Sequence, residues 1–114
     1  MFKIVVYRKI TGKVPFSMWQ KKLDPRVRSI IRSRLARVRQ GNLGDCTPIK
    51  GSSRISELRI DFGPGYRVYY AKQGSVIIVL LIGGDKGSQD QDIEKAKLFW
   101  QDYQDRGLDD EYED

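Results

Sequence analysis

Hydrophobic positions recur at two different spacings in this chain, and the change of spacing marks the change of element. Between Ser56 and Asp92 the sequence runs SELRIDFGPGYRVYYAKQGSVIIVLLIGGDKGSQDQD. Short β-branched and aromatic runs separated by glycine- and proline-rich punctuation predict three strands, Leu58 to Phe62, Tyr66 to Lys72 and Val76 to Ile82, joined by tight turns at Gly63-Pro64-Gly65 and Gln73-Gly74-Ser75. Val76 to Ile82 is apolar at every position, the pattern of a central strand covered on both faces. The strand before it alternates, with Tyr66, Val68 and Tyr70 on one side and Arg67 and Tyr69 on the other. Arg59 and Asp61 likewise oppose Leu58, Ile60 and Phe62. The expected sheet therefore has one packed face and one that displays Arg59, Asp61 and Arg67. Gly83-Gly84-Asp85-Lys86 leaves the central strand and can carry Lys86 to the displayed face. Phe2 to Tyr7, FKIVVY, predicts a further strand of the same sheet.

The remaining apolar positions follow a helical period. Pro15 suits a first helical turn, and Phe16, Trp19 and Leu23 then share an inner face. Asp24-Pro25 predicts a second start, an N-cap followed by proline, for a helix running to about Gln40 with Gly41 closing it. Its apolar stripe is Val27, Ile30, Ile31, Leu35 and Val38, flanked by Arg26, Arg28, Arg32, Arg37 and Arg39. Arg34 projects into the stripe, so it must snorkel or find an acid. Gly41 to Ser53 has no period and reads as a loop. Ser88 with Gln91 forms a capping-box pattern at the head of a last helix with the stripe Ile93, Ala96, Trp100 and Tyr103. Whether that stripe covers its own sheet or a partner is open. The expected fold is α+β: a small, mostly antiparallel sheet with an N-terminal helical hairpin on one face and a C-terminal helix.

Charge changes this picture. The 114 residues carry 21 Lys and Arg against 15 Asp and Glu, a net of +6. The last ten residues, DRGLDDEYED, hold six of the acids and one Arg, so residues 1–104 keep 20 basic and 9 acidic side chains, a net of +11. A body this basic points to a polyanionic partner, nucleic acid or acidic protein. The expected division is a single domain over residues 1–104 and an acidic, flexible tail over 105–114. The N-terminal apolar run is too short for a signal peptide, no run is long enough to span a membrane, and Cys46 is alone. Together these suit a cytoplasmic protein that keeps clear of membranes. With one Cys and no His, a metal site is not expected, nor is another cofactor.

GNLGD at 41–45, SELRIDFGPGYRVYY at 56–70 and LLIGGDKGSQDQDIEKAK at 80–97 resemble the HigB-type addiction-module killer proteins of the RelE/ParE toxin superfamily, and PFSMWQKKLD at 15–24 fits their first helix. The similarity covers about residues 1–104. It implies a RelE-like sheet with a helical hairpin and an activity that cleaves mRNA, commonly on the ribosome. It also implies a cognate antitoxin, often carrying a helix-turn-helix DNA-binding domain. Arg67 matches the arginine of the family's G-Y-R strand, Lys86 the basic residue after the last strand, and Arg59, more loosely, the basic positions of the preceding strand. The His or late Tyr of some relatives has no counterpart, since the chain lacks His and the next Tyr after the loop is Tyr103.

Chemistry can be assigned to these residues without a metal. If the RNA 2′-hydroxyl attacks the adjacent phosphate, fixed cations must stabilise the added negative charge. Arg59 and Arg67 offer planar forks that match phosphate oxygens. Lys86 can act as a further clamp or as the base. Asp61 or Asp85 can act as the base or orient the cations. Lys50, Arg54, Arg32 and Arg39 are candidates for holding more of the RNA backbone. Two other functions fit the same residues: a toxin that grips a protein target such as gyrase without cutting RNA, and an RNA-binding module without toxicity.

Overall fold

The computed structural model describes residues 1–52 and 54–113, so Ser53, at the end of the expected loop, and Asp114, at the end of the expected tail, lie outside the described residues. The fold is α+β. The six strands are β1 (Lys3–Tyr7), β2 (Cys46–Pro48), β3 (Ile55–Ile60), β4 (Tyr66–Gln73), β5 (Ile77–Asp85) and β6 (Asp109–Glu111). The helices are α1 (Pro15–Lys21), α2 (Pro25–Arg39) and α3 (Gln89–Arg106), with a 3-10 turn at Lys86–Ser88. The strands form one sheet in the order β2-β3-β4-β5-β1-β6. β1 runs parallel to β5, and every other pairing is antiparallel. The α1–α2 connection packs the hairpin on one face, and α3 covers the other.

Two apolar layers result. On the hairpin face, Phe16, Ile31, Leu35 and Val38 meet Leu58, Val68, Ile78 and Leu80, all essentially inaccessible. On the opposite face, Ala96, Trp100 and Tyr103 of α3 meet Tyr69, Ala71, Val79 and Leu81. The stripe of α3 therefore covers its own sheet, and the expectation of one bare, displayed face is corrected. Val68 and Tyr69 are both fully buried on opposite sides of β4 because each side has a helix over it.

Local chemistry accounts for the helix ends. Pro15 opens α1. Asp24 caps α2, its Oδ1 accepting from the Arg26 amide at 2.8 Å. Arg28 turns back to donate to the carbonyls of Lys21 and Leu23, tying the two helices together. Arg34 is buried and finds a main-chain acceptor instead of an acid: its Nη2 donates to the Asp45 carbonyl at 3.0 Å. Burial, and then the nearby Arg37 charge, lowers its pKa. The capping box expected at Ser88 is not formed. Asp85 caps instead, its Oδ1 accepting from the amides of Gly87 and Ser88.

Two further expectations are corrected. The stretch expected to be a loop holds β2, a three-residue edge strand paired with β3; so short a strand shows no period, and Pro48 fits only at an edge. The acidic tail is not a loose appendix. Asp109–Glu111 pairs with β1 as the other edge, and Tyr112 is buried at 5% exposure in the hairpin-side core. Arg8 pairs with Asp110 at 2.6 Å, and the Tyr103 hydroxyl donates to Asp109 at 2.7 Å. Two of the acids expected in a flexible tail, Asp109 and Asp110, thus have partners on the body. Among the described residues no helix is long and apolar enough to cross a membrane.

Candidate functional site

Strand pairing builds the site. Arg59 on β3 is directly opposite Arg67 on β4, and Arg67 is opposite Gly84 on β5. The two arginines therefore share one face, that of α3, beyond the first turn of the helix. The β3–β4 turn sits at their end, with Gly63 and Gly65 both at positive φ, a conformation that glycine adopts without steric cost. The Lys86 amide donates to the Gly65 carbonyl at 2.9 Å. This one backbone bond ties the 3-10 turn to the hairpin turn and brings Lys86 beside the arginines.

The result is a hollow of about 340 Å³ lined by Asp45, Arg59, Asp61, Tyr66, Arg67 and Lys86 among others. Four of the five residues assigned to chemistry from the sequence meet here. The fifth, Asp85, is not among the lining residues. It is engaged in capping the turn that carries Lys86, so its place is that of a positioning group. Asp61 is exposed on the rim.

The sequence reading missed the residue that organises the arginines. Glu57 is 4% exposed and lies on β3 two residues before Arg59. Its Oε1 accepts from Arg59 Nε and Nη2 at 3.3 and 3.2 Å, and its Oε2 from Arg67 Nη1 at 3.1 Å. Gln89 of α3 reaches Oε2 at 3.5 Å. The strand period could have revealed it, because Glu57 and Arg59 fall on one side by alternation. An acid on a strand assumed to display that side to solvent gave no reason to single it out. Tyr66 on the wall of the hollow was missed likewise, having been assigned to the packed face.

Arg67 is not displayed as expected. Only 13% of its side chain is exposed, against 45% for Arg59, because α3 covers this end of β4. Its Nε–H is buried with no hydrogen-bond partner among the described residues, as is the hydroxyl of Tyr69 behind it. Burial pushes the Tyr69 phenol well up, reinforced by Glu57 and Asp92. A buried donor without an acceptor is uncommon and costly.

Gly83 and Gly84, expected to lead out of the central strand, do something else. Both lie inside β5 and pair with Val68 and Arg67. They are glycines because helices on both faces approach the strand there. A Cβ on Gly83 would stand 2.2 Å from Trp19 Cζ3, and one on Gly84 would collide with the Asp92 carboxylate.

The candidates for holding the RNA backbone are not gathered at the hollow. Arg32 is exposed on α2, and Lys50 is exposed in the β2–β3 connection. Arg54 borders two separate depressions, neither of which includes Arg59 or Arg67. Arg39 donates to the Tyr112 carbonyl at 3.2 Å and stands over its ring at 5.9 Å, so it fastens the C-terminal segment. Among the described residues no three His, Cys, Asp or Glu side chains are grouped so as to hold a metal ion.

With this geometry established, comparison with known proteins adds a relationship but no activity. The chain is 44% identical over 93 residues to an uncharacterized protein of Haemophilus influenzae (strain Rd), a match spanning 81% of this chain and 92% of that relative. It belongs to the same family as that protein. No protein-family model matches it.

Proposed function

We propose that this chain is the toxin of a toxin–antitoxin pair of the HigB type within the RelE/ParE superfamily, and that it cleaves mRNA at the ribosome without a metal. The observation that carries the reading is the hollow at the β3–β4 turn, where Arg59, Arg67 and Lys86 converge. A phosphodiester entering it meets three fixed cations. In the reaction the RNA 2′-oxygen forms a bond to phosphorus and the bond to the 5′-oxygen breaks. The 2′ proton passes to a base, and the leaving 5′-oxygen takes a proton from Lys86 or water. Products are a 2′,3′-cyclic phosphate and a 5′-hydroxyl. Because Glu57 is bound to two arginines and Asp85 to two amides, Asp61 and Lys86 are the residues assigned to chemistry from the sequence that are left to receive the 2′ proton.

That same engagement of the carboxylates favours a second reading, in which the hollow grips a protein target such as gyrase, or holds RNA, without cutting it. The partners in the first reading are mRNA, the ribosome and an antitoxin with an acidic segment that neutralises the basic body; the compartment is the cytoplasm. Brief expression in cells, followed by mapping of new mRNA ends and their terminal chemistry, tests the proposal. New ends with cyclic phosphate upstream are expected. Growth arrest with intact mRNA would transfer the assignment to a protein target.

A further inference from the structure

A second cleft, larger than the first, lies on the other side of the 3-10 turn. It occupies about 530 Å³ between α1 and α3, over the end of β5. Trp19 of α1 and Asp92 of α3 line its two sides and Gly83 and Gly84 its floor, while Lys13, Lys22 and Lys95 stand exposed around it. Asp85 borders this cleft and Lys86 the first one, so consecutive residues separate the two.

Asp92 is the unusual member. It is 6% exposed, and its Oδ2 accepts the Ser88 hydroxyl at 2.5 Å. Among the described residues no donor bonds its Oδ1. A carboxylate in this position asks for N–H donors, whereas the surrounding lysines ask for an anion. The aromatic wall suits a flat ring. A nucleotide carries all three features in one molecule, and the cleft lies in the size range of small-ligand pockets. Among the four RNA bases, guanine alone presents two adjacent N–H donors on its pairing edge. Adenine, cytosine and uracil each place an acceptor against a carboxylate there.

We propose that this cleft binds a guanosine nucleotide, with Asp92 reading the base, Trp19 walling it and the lysines holding its phosphate. The binding stands on the cleft alone. Its consequence, a guanosine preference beside the cut, rests on the ribonuclease reading, because the adjoining clefts would hold neighbouring nucleotides of one strand.

The test is a proton–nitrogen NMR titration of the full chain with GMP, AMP, CMP and UMP separately. The Trp19 indole signal is identified by its loss in Trp19→Phe. GMP should shift that signal and the Ser88 and Asp92 amides, and bind about tenfold tighter than the other three. Asp92→Asn should level the four affinities, while Lys22→Glu should weaken all of them alike. Should Asp92→Asn fail to fold, Ser88→Ala and Trp19→Phe take its place, and each must weaken GMP binding. Equal affinities unaltered by these variants, or a Trp19 signal that does not move, overturn the proposal. Movement with a polyglutamate peptide but not with GMP would make the cleft a docking surface for an acidic protein and overturn it also. GMP binding by a chain that yields no cut mRNA would leave this inference standing and remove the ribonuclease reading instead.

Discussion

Replacing Glu57 tests the structural logic of the site most directly. In the native chain this buried carboxylate takes three hydrogen bonds from two arginines at 3.1 to 3.3 Å. Glu57→Ala removes all three and leaves a cavity under α3. The cost depends on what the arginines can do next. Arg59, with 45% of its side chain exposed, can rehydrate. Arg67, at 13%, cannot do so without moving α3 or its own strand. Breaking a buried ion pair by removing one partner costs about 3–5 kcal/mol. Because one of the two cations can escape to water, the lower end applies, about 3 kcal/mol. For a domain of this size that corresponds to a fall in Tm of roughly 10–15 °C. Glu57→Gln keeps the shape and one acceptor oxygen, and should cost about half as much. Urea and thermal unfolding of both variants measure this. A double-mutant cycle with Arg67→Met separates pair coupling from loss of packing. A loss below about 1 kcal/mol for Glu57→Ala, or additivity in the cycle, would show that Glu57 does not hold Arg67 and would refute the reasoning.

Further predictions follow from other contacts. Arg67→Ala should abolish growth arrest, and it should also lower stability modestly because Glu57 keeps Arg59 and the longer bond from Gln89; a soluble, folded variant that stays fully toxic would remove Arg67 from the site. Gly83→Ala places a methyl 2.2 Å from the Trp19 ring, and should cost about 1–3 kcal/mol by overpacking, with Trp19→Leu restoring part of it; urea denaturation of the single and double variants decides. Tyr112→Ala should cost about 3 kcal/mol, as for a buried aromatic, and expose the C-terminal segment to proteases; no change in either would return that segment to a loose tail. Burial raises the Asp92 pKa. The folded state therefore holds its proton more tightly than the unfolded chain does, and the resulting contribution to stability is present below the unfolded carboxylate pKa and lost as pH rises through the folded one. Asp92→Asn should accordingly gain stability relative to the parent as pH rises from about 3 to 7; a difference that is flat across this range would contradict the burial effect.

How far the sequence discloses this molecule depends on whether a signal is local. The strands around Gly63-Pro64-Gly65, the Asp24-Pro25 restart and the stripe of α3 are local patterns, and each has its counterpart in the structure within a few residues. The destination of α3 is not local. Nothing between Gln89 and Arg106 says that the helix lies over Arg67, and from that omission follows the mistaken bare face. The same holds for β6, whose three acidic residues have no strand pattern. They pair because β1 has a free edge, with Arg8 and Tyr103 supplying partners. Glycines 83 and 84 show the limit most clearly. A pair of glycines after an apolar run reads as an exit from the strand, but their reason lies in two side chains, Trp19 and Asp92, that are distant in sequence from one or both of them.

The arrangement of the two clefts gives the 3-10 turn a function that neither cleft reveals alone. Asp85 caps the turn, Lys86 bonds to the hairpin turn through its amide, and Ser88 holds Asp92. Three consecutive functions are thus fixed within four residues, one toward the arginines and one toward the guanosine cleft, around a backbone that the cap makes rigid. Loss of the cap should therefore disturb both clefts together. Asp85→Ala frees the amides of Gly87 and Ser88, and loss of such a cap costs about 1 kcal/mol, too little to unfold the chain. With the fold retained, it should displace Lys86 and Ser88 at once, lowering both cleavage and GMP binding. Asp85→Asn, which still accepts from the two amides, should preserve both. If Asp85 were instead the base, Asp85→Asn would abolish cleavage and leave GMP binding intact. The pair of variants, assayed for cut RNA and for the Trp19 signal, distinguishes a cap from a base because only a cap links the two readouts.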